Sequence, residues 1–120
     1  MESINMEKHH CAEEHFEDSG FNYTLSIIRG KYKIVILYWL NENQPSMRFN
    51  ELKRSINHIS FKTLSNTLKE MEKDKLIFRK EYPQIPPKVE YGLLERGKSL
   101  VPILDMLCQW GNNHKNDPLS

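Results

Sequence analysis

Apolar residues recur along this chain at two different spacings, and the change from one spacing to the other marks out its elements. Phe21, Leu25 and Ile28 lie four and then three residues apart, one face of a short helix over 21–28 that Arg29-Gly30 closes. From Lys31 to Leu40 nearly every position after Lys33 is apolar, a run long enough for about three helical turns and carrying the β-branched Ile34, Val35 and Ile36. Helix and buried strand both fit this run. Gly30 before it and Asn41-Glu42-Asn43-Gln44-Pro45 after it favour a helix. After the short mixed piece Met47-Arg48-Phe49, Asn50 offers an N-cap for a helix over 51–56 with Leu52 and Ile56 on one face, and Asn57-His58-Ile59 then turns the chain.

The stretch 60–73 has the sharpest division of faces. At ~100° per residue, Leu64, Leu68 and Met71 fall on one stripe with Phe61 at its edge, while Lys62, Ser65, Asn66, Lys69 and Lys73 gather opposite. Ser60 is the expected N-cap, and the free amides of the first turn suit a phosphate. By itself this pattern also describes an ordinary solvated amphipathic helix. A capped helix and a tight turn directly before it change the picture, because two short helices so joined form a helix-turn-helix.

Beyond Lys73-Asp74-Lys75 the period becomes two. Leu76, Phe78, Lys80 and Tyr82 alternate with Ile77, Arg79 and Glu81, and Val89, Tyr91 and Leu93 alternate with Lys88, Glu90 and Gly92. Pro83-Gln84-Ile85-Pro86-Pro87 joins the two strands as a stiffened tip, so a hairpin follows the helix pair as a wing. A last helix is predicted over 95–110, with Leu100, Leu104 and Leu107 on one stripe, Ile103 and Cys108 alongside, and Gly111-Asn112 as its stop; Pro102 should kink it or mark where two segments meet. The expected architecture is α+β and mostly helical: an acidic arm over 1–20, a winged helix-turn-helix domain with a two-stranded β wing and a C-terminal dimerisation helix over 21–113, and a polar tail over 114–120.

Charge sharpens that division. The 120 residues carry a net charge of only +1, but residues 1–20 hold one Lys and six acids, whereas residues 48–90 hold ten bases and six acids. An acidic arm therefore masks a basic centre that contains the 60–73 helix. Two cysteines, Cys11 and Cys108, are too few for a disulfide framework, and the longest apolar run, Ile34 to Leu40, is far short of the ~20 residues of a membrane span, so a cytoplasmic protein with no membrane contact is expected. His9-His10-Cys11 and His15 offer soft and imidazole ligands, but no second pair at recognised spacing completes a metal site, and no cofactor is expected. Neither a Gly-rich phosphate loop nor a nucleophile paired with an oriented base is present, which argues against an enzyme.

Six segments, in this order and spacing, carry a resemblance: Ile28-Arg29-Gly30-Lys31-Tyr32-Lys33, Arg48-Phe49-Asn50-Glu51-Leu52-Lys53-Arg54, Ile59-Ser60-Phe61-Lys62-Thr63-Leu64, Leu68-Lys69-Glu70-Met71-Glu72, the wing 82–91, and Leu107-Cys108-Gln109-Trp110-Gly111. From about Tyr23 to Gly111 the chain resembles the HxlR-type family of bacterial winged helix-turn-helix regulators, relatives of the MarR group. The resemblance implies a homodimeric, DNA-binding transcription factor. Members commonly carry a Cys-Pro pair just before the first helix, and in some of them that thiol senses electrophiles or oxidants; Ser19-Gly20 stands there in this chain, and a serine supplies no thiolate. Cys11, eight residues earlier, is the other candidate thiol, while Cys108 is expected to pack. Tyr32 replaces the family's usual tryptophan, and Leu94-Glu95 replaces its Thr-Glu helix start, which gives up a cap worth ~1 kcal/mol.

The expected DNA-binding residues are Ser60, Lys62, Thr63, Ser65, Asn66 and Lys69 in the major groove, with Asn66 placed to read adenine through its carboxamide. Plain solvent exposure accounts equally well for Thr63 and Ser65. Lys80, Gln84 and Lys88 on the wing would reach backbone or minor groove, and Lys53 and Arg54 would add backbone contacts unless they form a solvated face. Phe21, Leu25, Leu100, Leu104, Leu107 and Trp110 supply apolar area for a dimer on a pseudo-palindromic double-stranded site, shared with the core. The rival readings are a winged helix that binds protein, whose outer helix face would be neutral or acidic, and a redox-responsive regulator using Cys11.

Overall fold

The computed structural model describes residues 15–119, which fall into two units divided after Gly30. In the first, a 3-10 turn at Phe16–Asp18 leads into α1 (Gly20–Ile28). Ser19 is its N-cap: the Ser19 hydroxyl oxygen accepts from the Asn22 amide at 3.1 Å and donates to the Phe16 carbonyl at 2.8 Å. Ser19 is also buried. The position where the family's thiol would stand is thus occupied by a helix cap. Ile27 and Ile28 are the buried residues of α1, whereas Phe21 and Leu25 are exposed.

The second unit contains α2 (Lys33–Glu42), β1 (Met47–Arg48), α3 (Phe49–Ser55), α4 (Phe61–Lys73), β2 (Ile77–Tyr82), β3 (Lys88–Leu93) and α5 (Glu95–His114). The apolar run after Lys33 is a helix: Ile36, Leu37 and Leu40 are almost wholly buried and form the centre of the core with Leu52, Leu64, Leu68, Met71, Leu76 and Ile77. Among the described residues the sheet has three strands, the two of the wing and one more. β1 pairs antiparallel with β3 through Met47 opposite Tyr91 and Arg48 opposite Glu90, giving the order β1-β3-β2. Two residues are too few to show alternation, which is why the third strand has no signature in the sequence.

Two helix ends differ from the expectation for local reasons. α3 starts at Phe49, not Glu51, because the Glu51 carboxylate accepts from the Arg48 amide at 2.8 Å and closes the first turn earlier than an Asn50 cap would. α5 is one helix through Pro102 and continues past Gly111 to His114. A glycine costs an exposed helix only about 1 kcal/mol, and the last turn has its own ties: Trp110 and His114 rings lie 4.6 Å apart, and His114 Nδ1 meets Asp117 Oδ2 at 2.8 Å. Cys108 does not pack as expected. It is exposed on α5, as are Met106, Leu107 and Trp110, since Val101 and Leu104 carry that helix's burial.

The end of α4 is tied tightly to the start of the wing. Lys75 adopts a left-handed backbone (φ 61), the Leu76 amide donates to the Met71 carbonyl at 3.0 Å, and the Lys75 amide donates to the Glu72 carbonyl at 3.0 Å. These two bonds and the apolar Met71 and Leu76 at the matching positions make a Schellman stop, built here on a lysine rather than the usual glycine. Gly97 then lets the first turn of α5 rest directly on the Leu76 carbonyl, where any Cβ would collide. At the surface, the Tyr38 hydroxyl on α2 donates to Asp105 Oδ1 on α5 at 2.6 Å.

Burial, and then that bond, push the Tyr38 phenol from 10.0 up to about 12. The folded state therefore holds this proton more tightly than the unfolded chain, and the stabilisation is present below pH 10 and lost as pH rises through about 12. Thermal melts of wild type and Tyr38→Phe should differ at neutral pH, and the difference should shrink over that window. A difference that does not change with alkaline pH would show that this bond does not couple α2 to α5.

Candidate nucleic-acid interface

The helix-turn-helix is formed by α3, the turn 56–60 and α4. Ile56 and Ile59 are buried in the turn, and His58 between them takes a left-handed backbone (φ 64), so the chain reverses while both isoleucines stay in the core. Ser60 caps α4 as expected: its hydroxyl oxygen accepts from the Thr63 amide at 3.0 Å and donates to Thr63 Oγ1 at 3.0 Å. With the Ser60 proton so engaged, the Thr63 hydroxyl is the freer donor of the pair. Leu64, Leu68 and Met71 are buried, and Lys62, Thr63, Asn66 and Lys69 are exposed on the other side of α4. Lys33, buried along its stem, reaches Glu70 at 3.2 Å and ties α2 to α4 beside this face.

Between α3, the start of α4 and the wing lies an open cleft of about 850 Å³. Arg48, Arg54, Arg79 and Lys88 line it, against the single carboxylate of Glu51. Ser65 faces it half-buried, and Phe61 joins Phe49 there in a tilted ring pair with centroids 4.9 Å apart. Phe61 is therefore a cleft residue, mostly exposed, rather than the edge of the core stripe. Arg54, Ser65 and Lys88 come together in the cleft, while Lys62, Asn66 and Lys69 lie on the exposed side of α4 and Lys53 is half-buried on α3. Arg48 and Arg79 are the cleft cations that sequence reasoning missed. Arg79 had a signal in hindsight: strand alternation turns it away from Lys80, and the register sets it opposite Tyr91.

The tip-side half of the wing is a dense polar cluster. Glu90 Oε1 accepts from the Ser46 hydroxyl at 3.0 Å and from the Tyr82 hydroxyl at 3.1 Å, and Glu90 Oε2 pairs with Lys88 Nζ at 3.3 Å. The Ser46 bond first, and then Tyr82 and Lys88, hold its carboxyl below the usual range. Lys88 and Lys80 both lie over the Tyr82 ring, 4.5 and 5.1 Å from its centroid. Arg79 pairs with Glu81 at 3.2 Å, and a hydrogen bond with Tyr91 leads the causes that raise its pKa. Gln84 is exposed on the tip.

The HxlR-like helix-turn-helix profile matches residues 27–118, which include every element from α2 to α5. The chain belongs to the HxlR-like helix-turn-helix family. Over 104 residues it is 55% identical to an uncharacterised HTH-type transcriptional regulator of Halalkalibacterium halodurans, covering 87% of this chain and 91% of that one. It is similar in structure to the HTH-type transcriptional regulator YtcD (TM-score 0.76, 49% identity, 82% of this chain and 98% of that one). It is likewise similar to the redox regulator HypR in its reduced form (TM-score 0.76, 37% identity, 82% and 95%). As a member of this family the protein is a transcriptional regulator with a helix-turn-helix domain.

The six residues expected at a dimer surface divide by position. Phe21 and Leu25 on α1 and Leu107 and Trp110 on α5 are exposed, Leu100 is half-buried, and Leu104 lies inside the core at 3% exposure. The His9-His10-Cys11 cluster and the thiol of Cys11 lie outside the described residues. His15 is exposed. Among the described residues no helix is long and apolar enough to cross a membrane.

Proposed function

We propose that the protein binds double-stranded DNA sequence-specifically, as a homodimer on a pseudo-palindromic operator. The observation that carries this reading is the cleft, in which four cationic side chains surround the start of α4 against one carboxylate. α4 enters the major groove with Lys62, Asn66 and Lys69 outward. Asn66 reads adenine, and the lysines take guanine or phosphate. Thr63 and Ser65, with the capped amides behind Ser60, approach the backbone where the helix begins. Arg48, Arg54 and Arg79 hold the phosphates that run between α4 and the wing, and Lys53, Lys80, Gln84 and Lys88 extend that contact.

A domain of this size covers too little DNA for high specificity, so two copies are needed, with half-sites about one helical turn, ~34 Å, apart. Apolar residues exposed on α5, Leu107 and Trp110, and separately those on α1, Phe21 and Leu25, are the surfaces proposed for the second copy, with Leu100 and Leu104 supporting α5 from beneath. A redox response through the family's usual position is not part of the proposal, because Ser19 has no thiol and its hydroxyl already caps α1.

Affinity should be strongly salt-dependent. A dimer neutralising six to ten phosphates loses about 10³–10⁵ in affinity between 50 and 200 mM salt. Mobility shifts with a promoter fragment would test this, and an unchanged affinity would remove phosphate neutralisation as the driver. Asn66→Ala should relax preference at particular base pairs at a cost of about 1–3 kcal/mol. Selection from a randomised site would check it, and a uniform loss across all sequences would make Asn66 a positioning residue instead.

A further inference from the structure

The wing has cations, but each is already engaged. Arg79 pairs with Glu81, Lys88 pairs with Glu90, and Lys80 lies over the Tyr82 ring opposite Glu90 in register. These accessible pairs fix where the charges of β2 and β3 stand without cancelling them. Beyond them the wing presents its tip, residues 83–87, which carries no charge and holds three prolines. Ile85 is 99% exposed at that tip, with virtually its whole side chain in water. The prolines fix φ and limit how the tip can fold back, and the Gln84 amide closes the turn on the Tyr82 carbonyl at 2.9 Å. The Tyr82–Lys88 pair ends the ladder directly below, so both lysines stacked on Tyr82 stand at the base of an apolar projection.

This is the arrangement of a minor-groove wedge: an apolar side chain on a stiff support, with cations set back from it at the height of the flanking phosphates. We propose that Ile85 inserts into the minor groove beside each half-site and partly unstacks one base step, so that the protein bends its operator. The inference rests on the DNA-binding reading and adds a second source of sequence preference. The step that receives Ile85 has to be deformable, so a pyrimidine–purine step is favoured at a position that no side chain reads by hydrogen bonding. Lys80 and Lys88 hold the two phosphate strands on either side, and their shared packing on Tyr82 keeps the insertion point at a fixed distance from α4.

The test uses the full chain and a duplex of the best-bound sequence recovered from a random library, with 2-aminopurine placed at successive positions flanking each half-site and a dye pair at the duplex ends. Wild type should raise 2-aminopurine fluorescence several-fold at one step per half-site and shorten the end-to-end distance. Ile85→Ala and Ile85→Ser, at a tip where neither disturbs the core, should abolish both signals and weaken binding about tenfold, the low end of what one buried isoleucine contributes. Ile85→Phe should retain the signals. The dependence of affinity on salt should not change, because no phosphate contact is lost. Binding of wild type to a straight, fully stacked duplex would overturn the wedge and leave DNA binding intact, as would variants that bend DNA like wild type. A shallower salt dependence in Ile85→Ser would also overturn it, making the tip a backbone contact. If wild type selected no duplex at all, the DNA-binding reading would fall and the wedge with it.

Discussion

Leu64, Leu68 and Met71 are at most 1% exposed, and their burial sets the rotation of α4 about its own axis. A slip of one residue would turn the helix by ~100° and bring leucines to the surface, at about 1.5–3 kcal/mol for each side chain exposed. The Ser60 cap and the Schellman stop at Lys75 fix the two ends, which leaves the helix no freedom to slide. Lys62, Asn66 and Lys69 are outward as a consequence of what is inward. The Lys33 to Glu70 pair adds a link at the rim of that packing, modest in energy because Glu70 is exposed, but directional.

The remaining elements hold the wing in relation to that face. β1 joins the start of α3 to β3, so Arg48 at the cleft edge and Glu90 on the wing are register partners. Glu90 gathers Ser46, Tyr82 and Lys88, and in doing so binds the loop before β1 to both strands of the hairpin. Gly92 allows this crowding: a Cβ there would strike the Pro45 carbonyl and the Phe78 ring. At the other end of the sheet, Gly97 seats α5 on Leu76, immediately after the stop of α4. The cleft is therefore walled by elements that are each anchored to the same core.

Features with a local cause were legible in the sequence. The period of α4, its serine cap and the alternation of β2 and β3 each depend on neighbours within a few residues. β1 was not, because it exists only through pairing with β3, more than forty positions away. Arg48 and Arg79 belong to the same kind: alternation separates Arg79 from Lys80, but nothing local shows that either arginine converges with Arg54 and Lys88. The helical angle of Phe61 sets it at the core edge, but Phe49 meets its ring in the cleft instead. Gly111 looked like a stop because glycine usually is one; the Trp110 and His114 contact carries the helix onward. Cys108 and Leu107 share the helical stripe of Leu104, yet among the described residues the packing that covers Leu104 does not extend to them.

In the proposed complex, α4 and the wing act as one unit on duplex DNA, presented twice by a two-fold dimer. Hydroxyl-radical footprinting of the full chain on a selected duplex tests this arrangement. Two protected windows related by symmetry are expected, centred about one helical turn apart, each flanked by a shorter protection where the wing meets the neighbouring minor groove. A single protected window at saturating protein, or paired windows with no flanking protection, would contradict it.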